Sequence, residues 1–208
     1  MENKSRAELE RFFYQVLGRY KKYAKGGGLG RGIAADIQRA SSPGELLRYP
    51  RGASFFQLIS GLWEGDAPPT QKELRRLSRA VFLLPVVADT TNVKDWLGIG
   101  KFLGNTDTKA SNSINMRISQ ICAVPGIEMN YNKDMKSVKS LMERVLKEKP
   151  GRQLNIIQAL LSVYFWGDSE KERVYSDYHS AVIASEAQDP EDVPDEEDGT
   201  EDDSNEEE

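Results

Sequence analysis

Apolar residues recur at helical spacing along most of this chain, and their pattern alone divides it into elements. From Glu8 to Lys25, the residues Leu9, Phe12, Phe13, Val16, Leu17 and Tyr20 are spaced by three and four, which predicts an amphipathic helix. Its last turn gathers Arg19, Lys21, Lys22 and Lys25, cations that suit a helix C-terminus. The run GGGLGRG at 26–32 stops that helix and reads as a flexible connector. Beyond it Ile33, Ile37 and Ala40 line one face with Arg39 pointing elsewhere, and Ser42-Pro43 with Glu45 opens a short helix closed by Pro50. Between Gly52 and Trp63 the residues Phe55, Phe56, Leu58, Ile59 and Leu62 are too dense for a surface helix, so this segment belongs in the core. After the loop EGDAPP, Thr70 with Glu73 three residues on is a capping-box pair. It opens a helix through Leu74, Leu77, Ala80, Val81 and Leu84, with Lys72, Arg75, Arg76 and Arg79 around the other faces.

The second half turns on Leu97 to Cys122, LGIGKFLGNTDTKASNSINMRISQIC. Leu97, Phe102 and Leu103 form a short apolar face broken by Gly98, Gly100 and Gly104, with Lys101 its only charge; small residues around a lysine let another backbone come close. Ile114, Ile118 and Ile121 then make one buried stripe, and Arg117 falls about 60° off it, packing its stem and presenting its guanidinium to the surface. The plain alternative is two amphipathic helices whose cations meet only water. From Asp134 to Lys149, Met135, Val138, Leu141, Met142, Val145 and Leu146 share one side and Lys136, Lys139, Arg144 and Lys147 the other; Pro150-Gly151 turns the chain. LNIIQALLSVYFW, Leu154 to Trp166, is apolar nearly all round and should be a central helix, and SEKERVYSDYHSAVIA makes a last helix with Val174, Tyr178 and Ala181 inward. No stretch alternates with period two between hairpin turns, and no repeat argues a solenoid. The expectation is an all-α protein of about nine or ten helices. Its parts are an N-terminal helix and glycine-rich connector (1–30), two helical-bundle lobes (31–95 and 96–185) and a tail (186–208).

Charge changes this picture more than any other property. The 208 residues sum to a formal −5, yet residues 186–208 hold 14 of the 33 carboxylates and none of the 28 bases, so residues 1–185 carry 28 bases against 19 carboxylates, a net +9. A basic body with an acidic end points to a polyanionic partner. The tail, with no aromatic and heavy self-repulsion, is expected to be disordered.

Candidate chemistry is sparse. The single cysteine, Cys122, between Ile121 and Ala123, excludes an internal disulfide or a cysteine metal cluster and reads as a packed thiol. One histidine, His179, cannot supply a His-x-x-x-His metal pair and is poorly placed for a triad. The glycine run lacks the preceding strand and the lysine followed by Ser or Thr of a phosphate loop. Asp134-Met135-Lys136 is an acid-x-lysine fragment at a helix start without a partner strand. With no catalytic constellation, no cofactor motif, no secretory h-region and no apolar run near the roughly 18 residues a membrane span needs, the chain reads as a soluble cytoplasmic non-enzyme with no metal, cofactor or membrane partner. Cations spread over helix rims, without zinc-finger, ribonucleoprotein or basic-zipper motifs, suit sequence-independent contact with phosphates.

Several segments together resemble a known family, the small subunit of type I-E CRISPR Cascade (the CasB family). They are ADIQRASSPGELLRYP followed by FFQLI, then RAVFLL, GIGKFLGN, SNSINMRISQIC and FWGDSEKERVYSDY, in order over about residues 31–180. The resemblance implies two helical lobes and a non-catalytic subunit. Two copies would line the guide-RNA backbone assembly beside the large subunit, contacting target DNA and holding the displaced strand of the R-loop. Carried over by position, Arg39, Lys101 and Arg117 match basic family sites, and Lys139 matches another after a longer loop. Asp168 and Ser169 depart from a turn that is often basic, where Lys171 and Arg173 stand as substitutes. The glycine run and the acidic tail are not family features. Two other classes fit the charge division: a sequence-independent nucleic-acid chaperone or replication accessory protein, and a histone-binding helical adaptor.

Overall fold

Ser5 opens the first helix with a reciprocal cap. Its hydroxyl accepts from the Glu8 N–H at 3.3 Å, while its own N–H donates to Glu8 Oε2 at 2.7 Å. The Ser5 hydroxyl also donates to Glu8 Oε2 at 2.6 Å, and that bond first, then the one from the Ser5 N–H, holds the Glu8 carboxyl below its ordinary pKa. Helix α1 (Arg6–Lys25) follows, and all six apolar residues of its predicted stripe are buried. The structure is a computed structural model that describes residues 4–63, 67–94, 97–105, 108–122, 131–148 and 150–186. Nine α-helices, one 3-10 helix and one pair of two-residue strands make up the described residues, an all-α fold as the periodicity predicts.

The glycine run is not a connector. Only Gly26 and Gly27 separate α1 from α2 (Gly28–Arg39), so most of the run forms the first turns of a helix. Gly28 takes φ +62°, open to glycine at little cost, and a Cβ on Gly30 would stand 2.9 Å from the Tyr23 ring. The glycines let α2 fold back onto α1 at a sharp corner. After the 3-10 helix (Pro43–Leu47) and a cis Tyr49–Pro50 peptide, α3 (Arg51–Ile59) buries Phe55, Leu58 and Ile59 but leaves Phe56 about half exposed. Arg19 ties α1 to the end of α3 by donating to the carbonyls of Leu58 (3.0 Å) and Ser60 (2.6 Å). The Thr70–Glu73 capping box forms as expected, and α4 (Gln71–Val87) passes through Pro85 into the core.

Strand β1 (Thr91–Asn92) pairs in parallel with β2 (Gln153–Leu154), a clasp that joins the two halves of the chain. Between them lie α5 (Ile99–Gly104), α6 (Thr108–Cys122) and α7 (Tyr131–Glu148). After the clasp, α8 (Ile156–Tyr164) is capped by Asn155, whose Oδ1 accepts from the Gln158 N–H at 3.1 Å. Seven of the nine side chains in α8 are apolar or aromatic, and it packs against α4 and α1 within a core that draws on both halves of the chain. Helix α9 (Asp168–Glu186) turns Val174, Tyr178 and Ala181 inward as predicted and lies along α5. The expected disordered tail at 186–208, apart from Glu186 at the end of α9, and residues 64–66 of the expected loop EGDAPP lie outside the described residues. Among the described residues no helix is long and apolar enough to cross a membrane.

Candidate nucleic-acid interface

Six cations carry the expectation of a nucleic-acid contact, and the fold puts them in three kinds of environment. Arg39, the last residue of α2, and Arg117, on α6 between the buried Ile114 and Ile118, are exposed. Lys101 and Lys139 are half-buried on rims. The Lys139 ammonium sits 4.4 Å from the centroid of the Phe82 ring, and burial pulls its pKa down against the smaller opposing pull of Glu143.

Lys171 and Arg173 lie elsewhere. Lys171 is 5% exposed and its Nζ stands 2.9 Å from Asp134 Oδ2, an oxygen that also accepts from Trp166 Nε1 at 3.2 Å. Asp134 and Lys171 therefore neutralise each other inside the protein, joining α7 to α9 and fixing the indole that ends the central helix. The same pairing accounts for the acid-x-lysine fragment: its acid is buried, and Lys136 alone faces solvent. Arg173 is half-buried and pairs with Glu170, with its Nη2 also 3.5 Å from the Ser162 hydroxyl. In place of a basic turn after Gly167, Asp168 and Glu170 occupy the first turn of α9, where carboxylates suit the helix dipole.

Two grooves gather further cations. One, of about 700 Å³, runs between α2, α4 and α7 and is lined by Lys139, Arg144 and Lys147, with Asp89 and Glu143 among them and Gln38, the neighbour of Arg39, at its edge. Arg144 is held there by Ser113 of α6 (2.6 Å) and Glu148 (3.2 Å). Lys101 and Arg117 do not line this groove. The second, of about 430 Å³, lies between the 3-10 helix, α4 and the start of α7 and contains Arg48, Arg75 and Arg79. Sequence periodicity places Arg75 and Arg79 only on the faces of α4 away from its apolar stripe, and says nothing of Arg48. The signal available was the i, i+4 spacing of Arg75 and Arg79, which places both on one face of α4.

Other reactive side chains are quiet. Cys122 is half-buried, and burial pushes its thiol up to about 11. His179 lies inside α9, its ring centroid 4.3 Å from that of Tyr175 and 5.1 Å from that of Tyr178. Among the described residues no group of three or more His, Cys, Asp or Glu could hold a metal ion.

No family model and no curated protein matches the chain. Its fold is similar to that of a chain in the crystal structure of E. coli Cascade bound to a PAM-containing double-stranded DNA target with a 32-nucleotide spacer. The TM-score is 0.57 at 20% sequence identity, over 81% of this chain and 96% of that one. At that identity the likeness is one of fold.

Proposed function

We propose that this chain is a non-catalytic nucleic-acid-binding subunit of a Cascade-type, RNA-guided CRISPR surveillance complex, in the place of the type I-E small subunit. The observation that carries the reading is the fold likeness, which extends over 96% of a chain from a Cascade assembly. The charge division supports it, because a body of net +9 with exposed Arg39 and Arg117 and rim lysines Lys101 and Lys139 offers dispersed contacts to a phosphate backbone. In an RNA-guided complex base pairing reads the sequence, so a subunit that meets backbones alone adds affinity without adding specificity. On this reading the chain acts in the cytoplasm, contacts target DNA and holds the displaced strand. It would sit beside a second copy of itself along the guide-RNA backbone and against the large subunit.

Co-expression with a Cascade operon and affinity purification through this chain tests the reading. The expected eluate contains guide RNA and the other protein subunits in fixed proportion. Elution without RNA, or with a retinue of basic proteins, would overturn it in favour of a helical adaptor.

A further inference from the structure

The cavity walled by the 3-10 helix, α4 and the start of α7 gathers three arginines from three parts of the chain. Arg75 and Arg79 stand four residues apart on α4, so their side chains rise from one helix face, and Arg48 closes a third side from the end of the 3-10 helix. Arg48 and Arg75 are exposed, and their guanidinium groups enter no hydrogen bond, ion pair or ring contact among the described residues. Arg79 is 9% exposed, with its guanidinium carbon 3.8 Å from the Tyr131 ring centroid and its Nη1 donating to the Trp166 carbonyl at 3.4 Å. A guanidinium does not deprotonate in a protein, so this buried group, held over an aromatic ring, is a fixed charge in the cavity wall. Among the described residues no Asp or Glu lines the cavity. The carboxylate of the 3-10 helix, Glu45, is engaged by the Ser41 N–H (2.7 Å) and Arg51 (2.9 Å).

We infer that this cavity is a phosphate-binding site, taking the phosphate of a free nucleotide or of a nucleic-acid strand. Guanidinium forks match phosphate oxygens with paired, charge-assisted hydrogen bonds, and here two exposed forks face a buried one. The volume of about 430 Å³ falls within the roughly 300–1,000 Å³ usual for small-ligand sites. Pro43, Leu47 and Tyr131 add apolar surface on which a sugar or base can lie. Only the strand source of the phosphate rests on the nucleic-acid reading above.

The test uses the full chain with ¹⁵N-labelled arginine, titrated with pyrophosphate, beside polarisation measurements with a labelled single-stranded oligothymidylate. Arg48→Ala with Arg75→Ala removes two exposed charges from the cavity, and Arg31→Ala with Lys72→Ala removes two exposed charges outside it. Pyrophosphate should move the Nε–H resonances of Arg48, Arg75 and Arg79. The cavity pair should lower pyrophosphate affinity at least tenfold, and the control pair should leave it within about twofold. If the cavity pair also weakens oligonucleotide binding beyond the control, and pyrophosphate displaces the strand, the phosphate belongs to a strand; if pyrophosphate alone is affected, it belongs to a free nucleotide. Unmoved arginine resonances, or equal losses from both pairs, overturn the site. With those resonances unmoved but the oligonucleotide still bound, the nucleic-acid reading stands alone. Pyrophosphate bound in the cavity without any strand binding leaves the site standing and removes that reading.

Discussion

Arg117 and Lys171 are both cations on helices with buried stripes, and their fates in the fold are opposite. Arg117 is exposed on α6, whereas Lys171 is buried against Asp134. Arg117→Ala should therefore reduce retention of target DNA by the assembled complex while changing stability only within roughly ±0.5 kcal/mol, the range of surface substitutions. Lys171→Ala strands a carboxylate among apolar side chains, and breaking such a pair costs about 3–5 kcal/mol. Denaturant unfolding of the free chain beside a DNA-retention assay separates the two: the first variant loses binding at wild-type stability, the second loses stability first. If Arg117→Ala unfolds as readily as Ile118→Ala with no loss of retention, Arg117 is structural. What could be read from the chain differed between the two paired cations. The Glu170–Arg173 pair spans three residues and was visible in principle, but Lys171 meets an acid 37 positions earlier, a distance across which helical periodicity reports a face and not its neighbour.

At the scale of elements, the small residues of GIGKFLG do let another backbone come close, and it is one of the chain's own. A Cβ on Gly100 would lie 2.3 Å from the Val174 carbonyl oxygen and 2.7 Å from Asp177 Cβ, and one on Gly104 would lie 2.4 Å from the Tyr178 carbonyl oxygen. These two glycines set the approach of α5 to α9, and Lys101 rides on the outside of that seam. Gly100→Ala meets backbone that cannot yield locally, so it should cost about 1–3 kcal/mol as an overpacked contact. For a chain of this size that lowers Tm by roughly 2–4 °C per kcal/mol. Gly18 in α1 has nothing within 4 Å of the point where a Cβ would stand, and Gly18→Ala should raise stability by about 1 kcal/mol through helix propensity alone. Thermal melts of both variants check the pair, and equal shifts would remove the packing role. Helices, the Thr70–Glu73 capping box and inward faces were legible because each depends on residues within a turn or two of one another. The clasp of β1 with β2 and the glycine corner between α1 and α2 were not. The first joins two residues at 91–92 to two at 153–154, too short to leave a period, and the second depends on where Tyr23 lies when α2 folds back.

Across the whole molecule the strongest feature is the separation of charge, with 14 carboxylates and no base in residues 186–208 and a net +9 in the rest. An acidic segment tethered to a basic body meets it at a high effective concentration, so even weak pairing competes with an outside polyanion. The exposed cations most open to such competition are those without a partner in the described residues, Arg39, Arg48, Arg75 and Arg117 among them. Deleting residues 186–208 should therefore tighten binding to non-specific single-stranded DNA, most at low ionic strength, where the Debye length is about 30 Å at 0.01 M. The gain should shrink toward zero near 1 M salt, where that length is about 3 Å. A chain carrying the same 23 residues in scrambled order should bind as weakly as the original, because charge and reach are what compete. The salt dependence supplies a second check. Affinity of the truncated chain should fall by about 0.7 log unit per log unit of salt for each single-strand phosphate neutralised, and the intact chain should show a shallower slope, because its own carboxylates already occupy part of the surface. Equal affinities of the intact and truncated chains at low salt would show that the acidic segment does not compete for the basic surface.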